Sequence, residues 1–79
     1  FIRSISGVEA ALMIFEIDEN LCRMNFRSKG KIIVNTIANF FNGGGHAFAS
    51  GAVIHEPIEI AKSTIINKTK KMIQDQMDA

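Results

Sequence analysis

The run Gly43-Gly44-Gly45-His46, followed by the small-residue stretch Ala49-Ser50-Gly51-Ala52, is where this sequence could do chemistry. Three glycines in a row leave a length of backbone bare. A ligand can then reach the main-chain N–H groups, and φ > 0 is tolerated without strain. Bare amides in a loop suit an anion, above all a phosphate. The histidine that follows can give a proton near neutral pH. A glycine after a helix is also an ordinary stop signal, but a stop requires one glycine and this loop has three.

Such a loop needs positive charge from somewhere. A P-loop obtains it from the N-terminus of the helix that it feeds. Here the loop follows a predicted helix, so the nearest dipole end is negative. Two cations are candidates. His46 lies just past that helix's C-terminus, where an imidazolium is favoured. Arg27 ends a predicted strand, on the polar face it shares with Asn25 and Arg23, and a guanidinium there can clasp a phosphate through two parallel hydrogen bonds. Arg23 is the lesser candidate on that face. Two roles stay open for Ser28: a donor to a phosphate oxygen, or a residue that shapes the loop. Ser50 reads as a small strand residue that allows close packing, with donation to a ligand as the weaker alternative.

Phe40 lies off the helical stripe and Phe48 beside the glycines. A base stacked on Phe48 would contribute roughly 1–3 kcal/mol, although packing in the core or against a partner is the plainer expectation for both rings. His55, beside Glu56 and Pro57, reads as a surface residue. Cys22 is expected to be a buried small hydrophobe rather than a nucleophile. No catalytic residue is predicted: the sequence has no carboxylate pair beside a histidine and no Ser/His/Asp set. No metal ligand is predicted either, because His46 lacks an acidic or thiol partner at useful spacing.

The elements that must position these residues are legible in outline. Ala11 to Ile17 reads as a strand, apolar nearly throughout and therefore central. Asp18-Glu19-Asn20 is a turn. Leu21 to Arg27 alternates, with Cys22, Met24 and Phe26 on one face and Arg23, Asn25 and Arg27 on the other. The short turn makes the pair an antiparallel hairpin. Val34, Ile37, Ala38 and Phe41 fall at helical spacing, and that helix stops at Asn42-Gly43. Ala49 to His55 reads as a third strand. A last helix starts at Pro57, with Ile58, Ala61, Ile65, Met72 and Ile73 as its stripe and with acids early and lysines late to complement its dipole. Residues 1–8 are ambiguous, as the tail of a segment cut away upstream would be. The expected class is α+β: a small mixed sheet, made of an antiparallel hairpin plus a further strand, with two helices packed on it.

Composition bounds the function. Seventy-nine residues make one small domain with a thin core. A hydrophobic share of 47% and a charged share of 22% describe a globular chain rather than a disordered one. The first residue is Phe1, not methionine, so the chain reads as a piece of a longer protein or a processed one. No apolar run approaches the roughly 20 residues of a membrane span, so no membrane partner is expected. A single cysteine and no signal-peptide pattern point to the cytoplasm. A net charge of +1 gives no global attraction for a long polyanion; a small anion in one site fits better.

The string Gly-Gly-Gly-His-Ala-Phe-Ala-Ser-Gly at 43–51 resembles the G-G-G-H-x-x-A-A-G signature of the DHH-associated domain, type 1, the C-terminal half of DHH phosphoesterases. Phe26-Arg27-Ser28 resembles the arginine-serine that closes that family's second strand, and Val34 to Phe41 resembles the helix leading into its glycines. The likeness covers most of the chain. It departs at Ser50, which replaces the second alanine, and at Ile33, where relatives often carry an acidic helix cap. The resemblance implies a division of labour. An upstream DHH domain carries two divalent metals, usually manganese, on aspartates and histidines, and this smaller domain needs no cofactor of its own. It closes over the cleft and holds the nucleotide or phosphate through Arg27, Ser28, Gly43, Gly44, Gly45 and His46. The substrates implied are short RNA, pAp or cyclic dinucleotides, and the family's tendency to dimerise makes a homodimer an expectation. The alternative is a nucleic-acid-binding module without a hydrolase role, such as an exonuclease clamp or an alanyl-tRNA synthetase-like appendage.

Overall fold

The computed structural model describes residues 2–5 and 10–78 of the chain. Strand β1 is Ile2–Ile5, β2 is Ala10–Asp18 and β3 is Leu21–Ser28. Helix α1, Asn35–Phe40, is followed by β4, Gly44–His46, by β5, Ala49–Ile54, and by the long helix α2, Ile58–Asp78. The strands form one sheet in the order β1-β2-β3-β5-β4.

Period-two alternation builds the hairpin as expected. Leu12 and Ile14 on β2, and Cys22, Met24 and Phe26 on β3, are buried on one face, and the register pairs Leu12 with Phe26 and Ile14 with Met24. Burying each such side chain contributes about 1.5–3 kcal/mol, so this face fixes the register against a one-residue slip. Both helices cover it. Helix α1 packs on β4 and β5, and α2 packs on β2 and β3. The predicted stripe Val34, Ile37, Ala38 and Phe41 is buried throughout, as are Ala61, Ile65 and Ile73 of α2. Thr69 completes the α2 stripe and is fully buried.

The α+β class with two helices on a sheet is the one expected, but four particulars differ. First, the sheet is not mixed: every pairing among the described residues is antiparallel. Helix α1 does carry the chain back as a parallel crossover would. The next strand, β4, then reverses in a tight turn at Ala47-Phe48, so β5 returns antiparallel and slots between β3 and β4. Second, the glycine loop is itself a strand, hidden in the sequence because glycine is a poor strand former. Third, β2 is interior to the sheet, as expected, but among the described residues no helix covers its second face, where Phe15 is 44% exposed. Fourth, α2 runs to Asp78, so Lys68, Lys70 and Lys71 sit mid-helix and the last turn carries no base. Lys71 pairs with Asp75 at 3.1 Å instead of facing the helix end. Of residues 1–8, Ile2–Ile5 pair with β2, and residues 1 and 6–8 lie outside the described residues.

Candidate functional site: the open sheet face

The second face of the sheet brings the candidate residues together. Residues directly opposite each other in an antiparallel pair share a face. The register therefore draws rows across the sheet. One row runs Arg27, Ala49, His46 and the next runs Asn25, Gly51, Gly44. Segments far apart in sequence, the end of β3 and the glycine strand, are thus brought together on one surface. A groove of about 260 Å³ lies there, lined by Asn25, Arg27, Gly44, Gly45, Ala49 and Ser50. Arg27 is exposed, and neither it nor Arg23 forms an ion pair among the described residues. Its guanidinium is left available to an anion rather than neutralised by Glu16.

The three glycines have three different reasons to be glycine. Helix α1 ends in a Schellman motif: Asn42 takes the left-handed position at φ 65°, Gly43 N–H donates to the Ala38 carbonyl at 2.7 Å and Asn42 N–H to the Asn39 carbonyl at 3.0 Å. The stop residue is therefore Asn42, and no glycine is consumed by stopping the helix. Gly43 is bare because a Cβ there would collide with the Gly51 carbonyl oxygen and lie 2.5 Å from the Ala52 Cβ. Gly45 is bare because its φ is +143° and a Cβ would lie 2.6 Å from the Ala49 carbonyl oxygen. Gly44 has neither constraint: a Cβ would meet only Asn39 Oδ1, at an ordinary 3.6 Å. Its bareness has no packing cause, and it lines the groove.

Of the residues singled out in the sequence, Arg27, Gly44 and Gly45 line the groove, and His46 stands exposed in the row of Arg27. Gly43 lies outside it, with its amide already bonded within the helix terminus. Ser28 follows Arg27 and so points to the opposite face, where its hydroxyl accepts the Gly30 N–H at 3.3 Å and shapes the loop. Ser50 is turned towards the helices and donates to the Val34 carbonyl at 2.8 Å, so its backbone is what the groove meets. Phe48 and Phe40 are exposed, at 43% and 54%; Lys68 lies over the Phe40 ring at 4.2 Å from its centroid. Cys22 is fully buried and donates to the Glu56 carbonyl at 3.4 Å, and burial, with Glu16 adding to it, pushes its thiol pKa up. His55 is exposed. Asn25 was legible as a polar-face residue but not as part of the site. The Oδ1 of Asn25 would lie 2.9 Å from a Cβ on Gly51, so its amide lies across the bare backbone of Gly51 at the groove floor.

Among the described residues no three His, Cys, Asp or Glu side chains gather as a metal site requires, and no helix is long and apolar enough to cross a membrane. The arrangement defines a small α+β domain that presents an arginine, an amide side chain and bare backbone on an open antiparallel sheet face. The chain belongs to the DHHA1 domain family, whose model matches residues 1–75. It is also 48% identical, over 52 residues, to the bifunctional oligoribonuclease and PAP phosphatase NrnA of Bacillus subtilis (strain 168). That match covers 66% of this chain and 16% of the relative.

Proposed function

We propose that this chain is the substrate-holding domain of a DHH phosphoesterase that hydrolyses short oligoribonucleotides, pAp or cyclic dinucleotides. One observation carries the reading: the fold sets an unpaired Arg27 beside Gly44, the one glycine of the three whose bareness the packing does not require. Arg27 takes a phosphate through its guanidinium fork. Gly44 and Gly45 let the phosphate or ribose approach the backbone, and His46, at the rim, adds a second cationic donor when protonated. Asn25 supplies an amide donor and acceptor at the floor. Gly43 and Ser28 contribute by holding the hairpin and the loop in place. In this reading the manganese expected of the family is held by an upstream DHH domain, and hydrolysis is the work of that domain in the cytoplasm. The relative's printed name, with both oligoribonuclease and PAP phosphatase activity, supports this substrate class.

The test is binding. Titration of the chain with pAp by calorimetry or NMR is expected to give weak, saturable binding, with shifts centred on Asn25, Arg27, Gly44 and His46. Arg27→Ala is expected to weaken it by about tenfold or more, the scale of a charge-assisted bidentate contact. Equal binding by Arg27→Ala and the parent chain would overturn the proposal.

A further inference from the structure

The hairpin that carries Gly44, Gly45 and His46 is not held by its own turn. Two-residue hairpins are normally closed by turns with φ > 0 at one or both central residues, and other turn types splay the strands. Among the described residues Ala47 and Phe48 both have negative φ. Strand β4 is also only three residues long and lies at the sheet edge. The turn is fastened from outside. Val34 N–H donates to the Ala47 carbonyl at 2.7 Å and Ser28 N–H to the Phe48 carbonyl at 2.9 Å, while Ser50 Oγ returns a bond to the Val34 carbonyl at 2.8 Å. The position of the glycine strand is therefore set by where Val34 sits.

The Val34 side chain is buried in the core, and Ala38 N–H donates to the Val34 carbonyl at 3.2 Å. Val34 is the N-cap of α1 and has no side-chain cap hydrogen bond. The Thr36 hydroxyl donates to the Ile33 carbonyl at 3.2 Å, and a further tie comes from the far end of α2. Gln76 brackets the adjoining residue with two hydrogen bonds: Ile33 N–H donates to Gln76 Oε1 at 2.8 Å, and Gln76 Nε2 donates to the Ile33 carbonyl at 2.7 Å. The side-chain amide thus behaves as one more strand residue laid against Ile33, and it meets both backbone groups at part-buried positions. A glutamine is suited to this because one amide both accepts and donates.

We propose that Gln76 is a positioning residue for the ligand groove. It sets the Ile33–Val34 segment, which sets the Ala47-Phe48 turn, and thereby the placement of Gly44 and Gly45 opposite Arg27. The inference rests on the proposed function only for what the groove binds.

The experiment compares Gln76→Met, which keeps length and loses both hydrogen bonds, with Ile73→Val, which trims the core one turn earlier on the same helix and serves as a stability control. Both variants are read by thermal unfolding, pAp titration and residue-resolved amide exchange. The expected result is that Gln76→Met weakens pAp binding by about five- to tenfold, the scale of one or two net hydrogen bonds, while Ile73→Val leaves it within twofold at a similar loss of stability. Exchange of the Val34 amide should speed up in Gln76→Met while that of Ala61, in the first turn of α2, does not. Unchanged binding in Gln76→Met, or equal weakening in both variants, overturns the proposal. If the parent chain binds no pAp, the proposed function falls; the anchoring is then decided by exchange alone, upheld by selective loss of Val34 protection and overturned by its retention.

Discussion

At the residue scale the glycines separate folding from function. Gly44→Ala is expected to fold as the parent does, within about 1 kcal/mol, because only Asn39 Oδ1 stands within reach of the new methyl group. It should nonetheless lose most pAp affinity, since the methyl is added to backbone that lines the groove. Gly43→Ala and Gly45→Ala should lose stability first, by roughly 2 kcal/mol or more, through the collision with Gly51 and through the strained φ of +143°. Chemical denaturation and pAp titration of the three variants check this, and a fully active Gly44→Ala would remove the ligand from that backbone. The sequence showed the glycines as a group, but it could not distribute their reasons. Those depend on β5, which supplies the atoms that crowd Gly43 and Gly45. The separation of Arg27 from Ser28 was legible, however. Neighbours in a strand face opposite ways, so a groove that includes Arg27 and Asn25 excludes the Ser28 side chain.

At the element scale the strongly patterned pieces were readable and the externally supported ones were not. The β2–β3 hairpin and the stripes of α1 and α2 follow from alternation and helical spacing, because their own apolar residues build the core. Strand β4 has no such signal. It exists because β5 pairs with it and because the β3–α1 connection holds its turn. The end of α1 was placed correctly at Asn42-Gly43, yet the residue in the left-handed position is Asn42. Asn42→Gly should therefore be neutral or slightly stabilising, and Asn42→Val should cost about 1–2 kcal/mol, both read from unfolding curves. Thr69 offers the opposite sign. Its hydroxyl is fully buried and finds no partner among the described residues, so Thr69→Val, which replaces it by a methyl of similar size, is expected to stabilise the chain by about 1 kcal/mol. A loss of stability would mean that the hydroxyl is satisfied after all.

At the scale of the whole molecule, Cys22 reports on global unfolding. The thiol is fully buried on the helix-covered face of β3, and burial raises its pKa above the ordinary value. Alkylation by iodoacetamide at pH 8 should therefore proceed only through opened molecules, at a rate set by the opened fraction. The linkage has a definite sign. The folded state favours the neutral thiol, so the stability this contributes is present below the unfolded thiol's pKa and lost as pH rises through the raised folded one. Rapid labelling of the native chain would show that the sheet opens locally at β3.

Charge decides between the two kinds of ligand. Net charge is +1, and among the described residues the arginines without an ion pair on the open face lie in β3, at Arg23 and Arg27. The lysines of α2 sit on the other side of the sheet, where Lys71 is paired and Lys68 covers Phe40. A single strand of RNA laid along the molecule would thus meet one or two phosphate contacts on the groove face, not a continuous track. Each contact neutralised contributes about −0.7 to the slope of log affinity against log salt for single strands. The chain should accordingly bind pAp and a dinucleotide with a shallow slope of about −1, and a twenty-residue oligoadenylate should bind no more tightly once affinity is expressed per end. Fluorescence titrations between low and physiological salt measure both quantities. A slope of about −3 or steeper, together with affinity that grows with strand length, would instead mark the open face as part of a longer nucleic-acid surface and would move the function from holding small phosphoesters to clamping a strand.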